Sequence, residues 1–258
     1  MSYQTITLDI EDHTAVIRLN RPEKYNALNS QMRAEVADAV RTAGTKARVI
    51  VITGNGPAFC SGQDLSDGGT LATPDLERTL KDEYQPMIRA IVDAPVPVIA
   101  AVNGAAAGAG ANIALACDVV IAAERAYFLQ AFSRIGLIPD AGGTYVLPRS
   151  VGTQKAMGAA LFAEKITARQ ADDWGMIWEA VADDAFEEHW KARAAYLAKG
   201  PTLAFGKIKE AIRGSWDKDM QAQLDHEGKA QGAVGGSRDF KEGVLSFLEK
   251  RLPRFEGR

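Results

Sequence analysis

Cysteine and histidine are scarce in this chain of 258 residues, which contains two cysteines and three histidines. Cys60 and Cys117 lie far apart in the sequence, and neither has a second cysteine or a histidine at metal-ligand spacing. This pattern excludes a disulfide framework and a zinc site of the usual kinds. We therefore expect two reduced thiols and no bound metal.

An excess of positive charge is also missing, because 30 lysines and arginines face 33 aspartates and glutamates, for a net charge of -3. Phosphate-backbone binding normally requires a basic surface, so nucleic acid is not expected as a partner. No run approaches the ~18 apolar residues of a membrane span, and the opening MSYQTITLDIED does not resemble a secretory signal. We expect a cytoplasmic protein with no membrane partner.

Hydrophobic residues make up 47% of the chain, which is enough to bury a sizeable core. Residues 3–10 and 14–20 alternate apolar with polar side chains on either side of Glu11-Asp12-His13, which predicts an antiparallel hairpin. Helical and buried-strand patterns then alternate, which indicates an α/β class. The predicted elements are a helix that runs to about Ala43 after the cap Asn29-Ser30, a strand at 49–54, a helix near 75–93, and strands at 96–104 and 118–124.

From about residue 152 the pattern becomes helical throughout, and we expect this half to contain helices alone. ITARQADDWGM reads as a capped helix start, followed by amphipathic segments at 183–199, 201–214, 217–231 and 238–251. No linker separates the two parts. We therefore predict an α/β core over residues 1–200 and a docked helical region over residues 201–258.

Two glycine-containing turns, 53–65 and 103–118, each follow a predicted strand and open a predicted helix. Backbone N–H groups in a first helical turn lack intrahelical partners, so such turns bind anions, and two facing turns can hold one oxyanion. Close packing of a helix on a sheet would explain either turn by itself. The sequence Gly108-Ala109-Gly110 also mimics a dinucleotide fingerprint, but Ile113 occupies the third small position, which excludes that reading.

Asp140 lies in the apolar segment RIGLIPDAGGTYVLPR, residues 134–149. An aspartate just before a helix is commonly an N-cap. Apolar neighbours would also desolvate the carboxylate, raise its pKa and make it a better base. Both interpretations remain open at this point.

Five segments, in order, resemble the crotonase (enoyl-CoA hydratase/isomerase) superfamily: NRPEKYNAL, ITGNGPAFCSGQDL, AAVNGAAAGAGANIALACD, IGLIPDAGGTYVLPR and SRDFKEGVLSFLEKR. The resemblance covers essentially the whole chain. It implies a spiral core of ββα units, a helical C-terminal region used in trimer or hexamer formation, and an acyl-CoA substrate. Coenzyme A is then part of the substrate, and no separate cofactor is expected.

The resemblance assigns the oxyanion hole to the backbone N–H groups of Cys60 and Ala109. Such donors stabilise the charge that develops on a thioester oxygen when a neighbouring proton is removed. A nucleophilic Cys60 thiol would need a histidine partner, and none is apparent among His13, His189 and His226.

The resemblance also implies a set of substrate contacts. Lys24 lies beside the predicted adenine loop, and Phe247 with Lys250 resembles a family pair that reaches coenzyme A, although Lys250 could belong to a solvated helix face. The full predicted set is Lys24, Ala27, Ala58, Gly62, Gln63, Asp64, Leu65, Gly108, Asn112, Phe132, Phe247 and Lys250.

Hydratases of this superfamily use two glutamates, at positions that here hold Asn112 and Phe132. An amide cannot exchange the proton and a phenyl ring cannot activate water. Asp140 matches an aspartate of non-hydratase members. Together with ADDWGMIWEAV (171–181), its segment most resembles the ring-1,2-epoxyphenylacetyl-CoA isomerases, which also shift double bonds in enoyl-CoA. Asn112 would orient the substrate, or it is a helix-interior polar residue without a chemical role.

Three alternatives to this prediction differ in the residues that they require. A serine protease of the related ATP-dependent type would need a serine in the second turn, where Ala109 and Ala111 stand. An enoyl-CoA hydratase of β-oxidation would need two glutamates, and this chain has Asn112 and Phe132 at those positions. A non-catalytic acyl-CoA-binding protein would have no need of Asp140 in an apolar setting.

Overall fold

The computed structural model describes residues 3–66 and 75–258. Within these ranges the strands are β1 (Ile6–Glu11), β2 (Thr14–Leu19), β3 (Val49–Gly54), β4 (Ala58–Cys60), β5 (Val98–Val102), β6 (Ala105–Ala107), β7 (Val119–Ala123), β8 (Tyr127–Leu129), β9 (Ile166–Thr167) and β10 (Glu179–Val181). The α-helices are α1 (Ser30–Lys46), α2 (Leu76–Thr79), α3 (Gln85–Val92), α4 (Ala109–Ala116), α5 (Gly143–Phe162), α6 (Ala168–Asp173), α7 (Phe186–Ala198), α8 (Thr202–Gly214), α9 (Met220–Gly235) and α10 (Arg238–Leu248).

The strands form two sheets, one in the order β1-β2-β3-β5-β7-β10 and the other in the order β4-β6-β8-β9. The consecutive pairs β3/β4, β5/β6 and β7/β8 each give their first strand to the larger sheet and their second to the smaller one. A helical segment follows each pair. This repeated ββα unit winds the chain into a spiral, so the predicted α/β class and the spiral ββα core are confirmed.

The larger sheet explains why the central strand sequences are uniformly apolar. β3 pairs in parallel with β2 and β5, and all six of its residues are buried. Ile50 and Ile52 pack into the cluster formed with α1 and α3, whereas Val49 and Val51 pack against Trp190 and other residues of α7. Helices on both faces are the usual environment of a parallel sheet. The predicted hairpin is confirmed as the antiparallel pair β1–β2.

The expectation that the second half is entirely helical is wrong, because β9 pairs with β8 and β10 pairs with β7. These strands have two and three residues, too few to show an alternating pattern in the sequence. Their pairing is decided by the open edge of a neighbouring strand. The predicted helices of this half are confirmed as α6 to α10, and Thr167 caps α6 in a capping box.

Partly buried ion pairs attach α8 to the core. Lys209 Nζ lies 2.8 Å from a carboxylate oxygen of Asp118 at the start of β7, and Arg213 lies 2.9 Å from the other oxygen. The helices from Thr202 onward and the segment after α10 carry large exposed apolar side chains, among them Met220, Phe247, Leu248 and Leu252. The division at residue 200 stays a prediction. No helix in the described ranges is long and apolar enough to cross a membrane.

Candidate active site

The two glycine turns meet because β4 pairs with β6, with Cys60 opposite Ala106. Cys60 ends β4, and Ala109 is the first residue of α4, two positions after the end of β6. The N–H of a first helical residue has no partner within its own helix. The pairing therefore brings the Ala109 N–H next to the end of β4, where the Cys60 N–H lies.

Glycine is required at this contact for steric and conformational reasons. A Cβ on Gly110 would lie 2.2 Å from the carbonyl oxygen of Cys60, and a Cβ on Gly62 would lie 2.8 Å from that of Ala107. Gly108 has φ +54° and ψ -128°, a backbone conformation that side chains other than hydrogen rarely allow. The close packing of the turns thus depends on these glycines, and the predicted anion site would depend on them too.

Asp140 lies in the loop between a 3-10 helix, Ala131–Ile135, and α5. The N-cap of α5 is Gly142, and no side chain caps that helix, so the N-cap interpretation of Asp140 is wrong. Its Oδ1 is buried and accepts no hydrogen bond from the described residues. Burial raises the pKa of this carboxyl from 3.8 to about 6, and the residue's own backbone N–H offsets part of the effect. Asp140 can therefore take up or release a proton near neutral pH.

One cleft brings together seven of the predicted site residues: Gly62, Gln63, Leu65, Gly108, Ala109, Phe132 and Asp140. They come from three parts of the chain that are distant in the sequence, residues 62–65, 108–109 and 132–140. Five further predicted residues are buried and do not line the cleft: Ala27, Ala58, Cys60, Asp64 and Asn112. Three predicted coenzyme A contacts, Lys24, Phe247 and Lys250, are exposed and lie outside the cleft lining.

The Cys60 thiol is fully buried beside the cleft. Burial raises its pKa to about 12, and the Gly62 backbone N–H next to the sulfur only partly opposes this. A neutral thiol is a poor nucleophile. The geometry thus leaves the backbone N–H as the part of Cys60 that can act on a substrate.

Asp64 fixes the first turn to the loop at residues 20–28. Its carboxylate accepts hydrogen bonds from the backbone and the hydroxyl of Ser66 and lies 2.8 Å from Arg21 Nη2. These contacts lower the pKa of Asp64 to about 2, and the hydrogen bond from the Ser66 hydroxyl contributes most. The backbone strengthens the attachment, since Leu28 donates to Gly62 and Asp64 donates to Leu28. The Asp64 side chain is therefore engaged within the protein.

A buried polar cluster that the sequence analysis missed lines the cleft beside the first turn. Arg33 is 2% exposed and donates to the Gln63 Oε1 at 2.8 Å and to Glu83 at 2.6 Å. The Tyr84 hydroxyl donates to the same Gln63 oxygen. Burial raises the pKa of Tyr84, and the nearby Asp140 carboxylate adds to that rise. The sequence contained one signal for this cluster: Arg33 is a charged residue on the apolar, buried face of α1.

The two positions that hold glutamate in hydratases carry no acid in this fold. Phe132 lines the cleft with its ring, and Asn112 is 1% exposed with its Nδ2 donating to the backbone carbonyl of Asp140 at 2.8 Å. Among the described residues there is also no group of three or more His, Cys, Asp or Glu placed to hold a metal ion.

A family model described as "Enoyl-CoA hydratase/isomerase" matches residues 9–258. The chain belongs to the enoyl-CoA hydratase/isomerase family. A family member from Rhodobacter capsulatus, "Probable enoyl-CoA hydratase", is 58% identical over 100% of both chains. The "1,2-epoxyphenylacetyl-CoA isomerase" of Escherichia coli is 43% identical over 96% of this chain and 97% of its own.

Solved structures of the enoyl-CoA hydratase/isomerase family have the same fold. An enoyl-CoA hydratase from Bacillus anthracis superposes with a TM-score of 0.93 at 32% identity, covering 99% of this chain and 100% of its own. The membership of the crotonase superfamily that the five sequence segments predict is therefore confirmed. Relatives named as hydratases and relatives named as isomerases both resemble the chain, so these names do not distinguish the two reactions.

Proposed function

We propose that this family member is an isomerase of coenzyme A thioesters that uses Asp140 as its acid and base. The observation that carries the proposal is that Asp140, a carboxyl of raised pKa, lies in the same cleft as the two glycine turns, while Asn112 and Phe132 occupy the positions of the hydratase acids. One carboxyl suffices for an isomerisation, because the same group can remove a proton and return it elsewhere.

In the proposed reaction the thioester oxygen of a 3-enoyl-CoA accepts hydrogen bonds from the N–H groups of Cys60 and Ala109. The Asp140 carboxylate removes a proton from C2, and the resulting charge spreads onto that oxygen and along the dienolate. The protonated Asp140 then returns the proton at C4. This route needs neither a metal nor a redox cofactor, and coenzyme A serves only as the carrier of the acyl group.

For the physiological substrate we propose 2-(1,2-epoxy-1,2-dihydrophenyl)acetyl-CoA, an intermediate of phenylacetate degradation. Its ring requires an apolar acyl pocket, and Ile88, Phe132, Ile138 and Val146 line the same cleft as Asp140. A glutamate at position 132 would place a charge against that ring. The Escherichia coli relative, which carries the name of this isomerase, supports the same choice.

Hydration of an enoyl-CoA is the second candidate, and the name of the Rhodobacter capsulatus relative favours it. Hydration requires one group to activate water and another to protonate the α-carbon in the usual two-acid arrangement. Asp140 could serve as one of these groups, but neither hydratase position, Asn112 or Phe132, provides the other. We therefore expect hydration of crotonyl-CoA to be very slow.

The deciding experiment measures three reactions of the purified protein by spectroscopy: hydration of crotonyl-CoA, isomerisation of 3-hexenoyl-CoA and conversion of ring-epoxidised phenylacetyl-CoA. The proposal expects both isomerisations to be much faster than hydration. Asp140→Asn, assayed in parallel, shows whether each activity belongs to this site. Hydration as fast as isomerisation in the unmodified protein would establish the second candidate instead.

We also propose that the chain binds acyl-CoA as a homotrimer or hexamer, with Lys24, Phe247 and Lys250 among the coenzyme A contacts. Phe247 is 82% exposed and Leu252 is 87% exposed, which supports their burial against a further subunit. Light scattering measures the assembly. Acyl-CoA should raise the melting temperature by mass action and NAD should not. The absence of any shift and of any binding heat with acyl-CoA would contradict the substrate class.

A further inference from the structure

The loop that carries Asp140 has an unusual backbone. Ala141 has φ +47° and Gly142 has φ +84°, so two successive residues lie in the left-handed region, and the first of them has a side chain. Such conformations persist where the surrounding structure holds them, and they cluster at functional sites. The contacts that hold this loop therefore bear on the position of the carboxyl.

Asn112 makes the principal side-chain contact to this loop. Its Nδ2 donates to the Asp140 carbonyl oxygen at 2.8 Å, and the same oxygen accepts the N–H of Gly143 at 2.8 Å. The amide also packs against Gly143, where a Cβ would lie 2.3 Å from Asn112 Nδ2. Asn112 thus fixes the backbone on both sides of the strained turn.

Gln130 orients the Asn112 amide. Its Nε2 donates to Asn112 Oδ1 at 2.8 Å, so Nδ2 of Asn112 must point towards Asp140. The two amides are 2% and 1% exposed, and neither lines the cleft. Water does not compete for these bonds as it would at the surface.

Asn112 stands three residues after Ala109 on α4, one turn along the same helix. A single rigid element therefore carries an oxyanion N–H and the clamp on Asp140. We propose that Asn112, oriented by Gln130, is a positioning residue that sets the Asp140 carboxyl relative to the oxyanion donors. The inference rests on the proposed isomerase function and assigns to Asn112 a task apart from substrate contact.

The first test is Asn112→Ala. Because small displacements of a reacting group can reduce rates by ~10²-fold, we expect kcat for 3-hexenoyl-CoA to fall roughly 10- to 100-fold with little change in KM. Gln130→Met, which touches neither Asp140 nor the cleft, should give a smaller loss in the same direction. Thr5→Val is the matched control, because it removes one buried hydrogen bond, Thr5 Oγ1 to Glu35 Oε2, next to the edge strand β1 and outside the cleft lining. It should lower the melting temperature without changing kcat.

The second test combines Asn112→Ala with Asp140→Asn. If Asn112 acts through Asp140, the double variant should be no slower than Asp140→Asn alone. A purely structural role predicts that the two losses multiply. Multiplying losses, or a wild-type kcat in both Asn112→Ala and Gln130→Met, would overturn the inference. Should Asn112→Ala fail to fold, Gln130→Met alone decides between these outcomes.

A readout without turnover separates this inference from the proposed function. The Asp140 titration can be followed by carboxyl NMR as the difference between the wild type and Asp140→Asn. A released loop admits water, so Asn112→Ala should move the Asp140 pKa from about 6 towards 3.8 and speed amide exchange at residues 140–143. An unchanged titration and unchanged exchange would refute the clamp even in a protein that isomerises. If the wild type fails to isomerise but Asn112→Ala shows both the pKa change and the faster exchange, only the proposed reaction is refuted.

Discussion

Replacing Asp140 by Asn removes a titrating group while keeping nearly the same shape. The folded-state pKa of about 6 lies above the ordinary value of 3.8 because burial disfavours the charged form. The stability linked to this group is therefore fully present below pH 3.8 and is lost as the pH rises through about 6. At neutral pH the protein carries a partly buried, ionised carboxylate at the expense of stability.

The size of this effect follows from the shift. One pKa unit corresponds to about 1.4 kcal/mol, so ionisation lowers the free energy of unfolding by at most about 3 kcal/mol, and by less where water reaches the carboxyl. Asp140→Asn should thus melt at a higher temperature than the wild type at pH 8, by about 2–4 °C for each kcal/mol. The difference should shrink towards pH 4. Asp9→Asn, on the exposed edge strand β1, is the control and should change neither the melting temperature nor its dependence on pH.

Activity should move in the opposite direction to stability. The variant is expected to bind acyl-CoA and to lose roughly 10²- to 10⁴-fold in isomerase kcat, the usual contribution of a positioned acid or base. In the wild type, kcat/KM should rise with pH through about 6, because the base must be ionised in the free enzyme. An unchanged kcat in Asp140→Asn would refute the mechanism, and a lower melting temperature at pH 8 would refute the burial argument.

Three further predictions concern the turns. Gly108→Ala places a side chain at φ +54° and should lower both the melting temperature and kcat, the latter about 10²-fold if an oxyanion donor moves, which kinetics and circular dichroism together would detect. Cys60→Ala should leave kcat close to wild type, because the thiol pKa of about 12 keeps it neutral, and iodoacetamide should label the folded wild type very slowly. Asp64→Asn should cost about 1–2 kcal/mol in urea unfolding at pH 7, and the difference should vanish as the pH falls from 3.8 through about 2, because the folded-state pKa of Asp64 is lowered.

The sequence predicted most of the larger elements, since each leaves a periodic signature. The six apolar residues of β3 and the Asn29-capped start of α1 are local patterns that the tertiary structure had no reason to override. β9 and β10 were missed because two or three residues carry no such pattern, and their pairing depends on β8 and β7. The smaller sheet, which brings the two glycine turns together, is built largely from strands of this short kind.

At the site, the sequence by itself determined which functional groups are available. The glycines of the two turns, a single aspartate in an apolar segment, and the absence of acids at positions 112 and 132 are matters of residue type and order. The sequence could not predict the distances between these groups or their exposure to solvent. Whether Asp140 caps a helix or stands unpaired depends on where α5 begins, and the structure places that start at Gly143.

The tertiary structure alone decided the surroundings of each group. Burial raises the pKa of Asp140, and the amide of Asn112 reaches the loop of Asp140 only because α4 packs beside it. The sequence separates Arg33, Gln63 and Tyr84, yet they meet in one hydrogen-bonded cluster at the cleft. Residue type sets which proton or charge a group can carry, whereas desolvation and hydrogen bonding depend on neighbours that only the folded chain supplies.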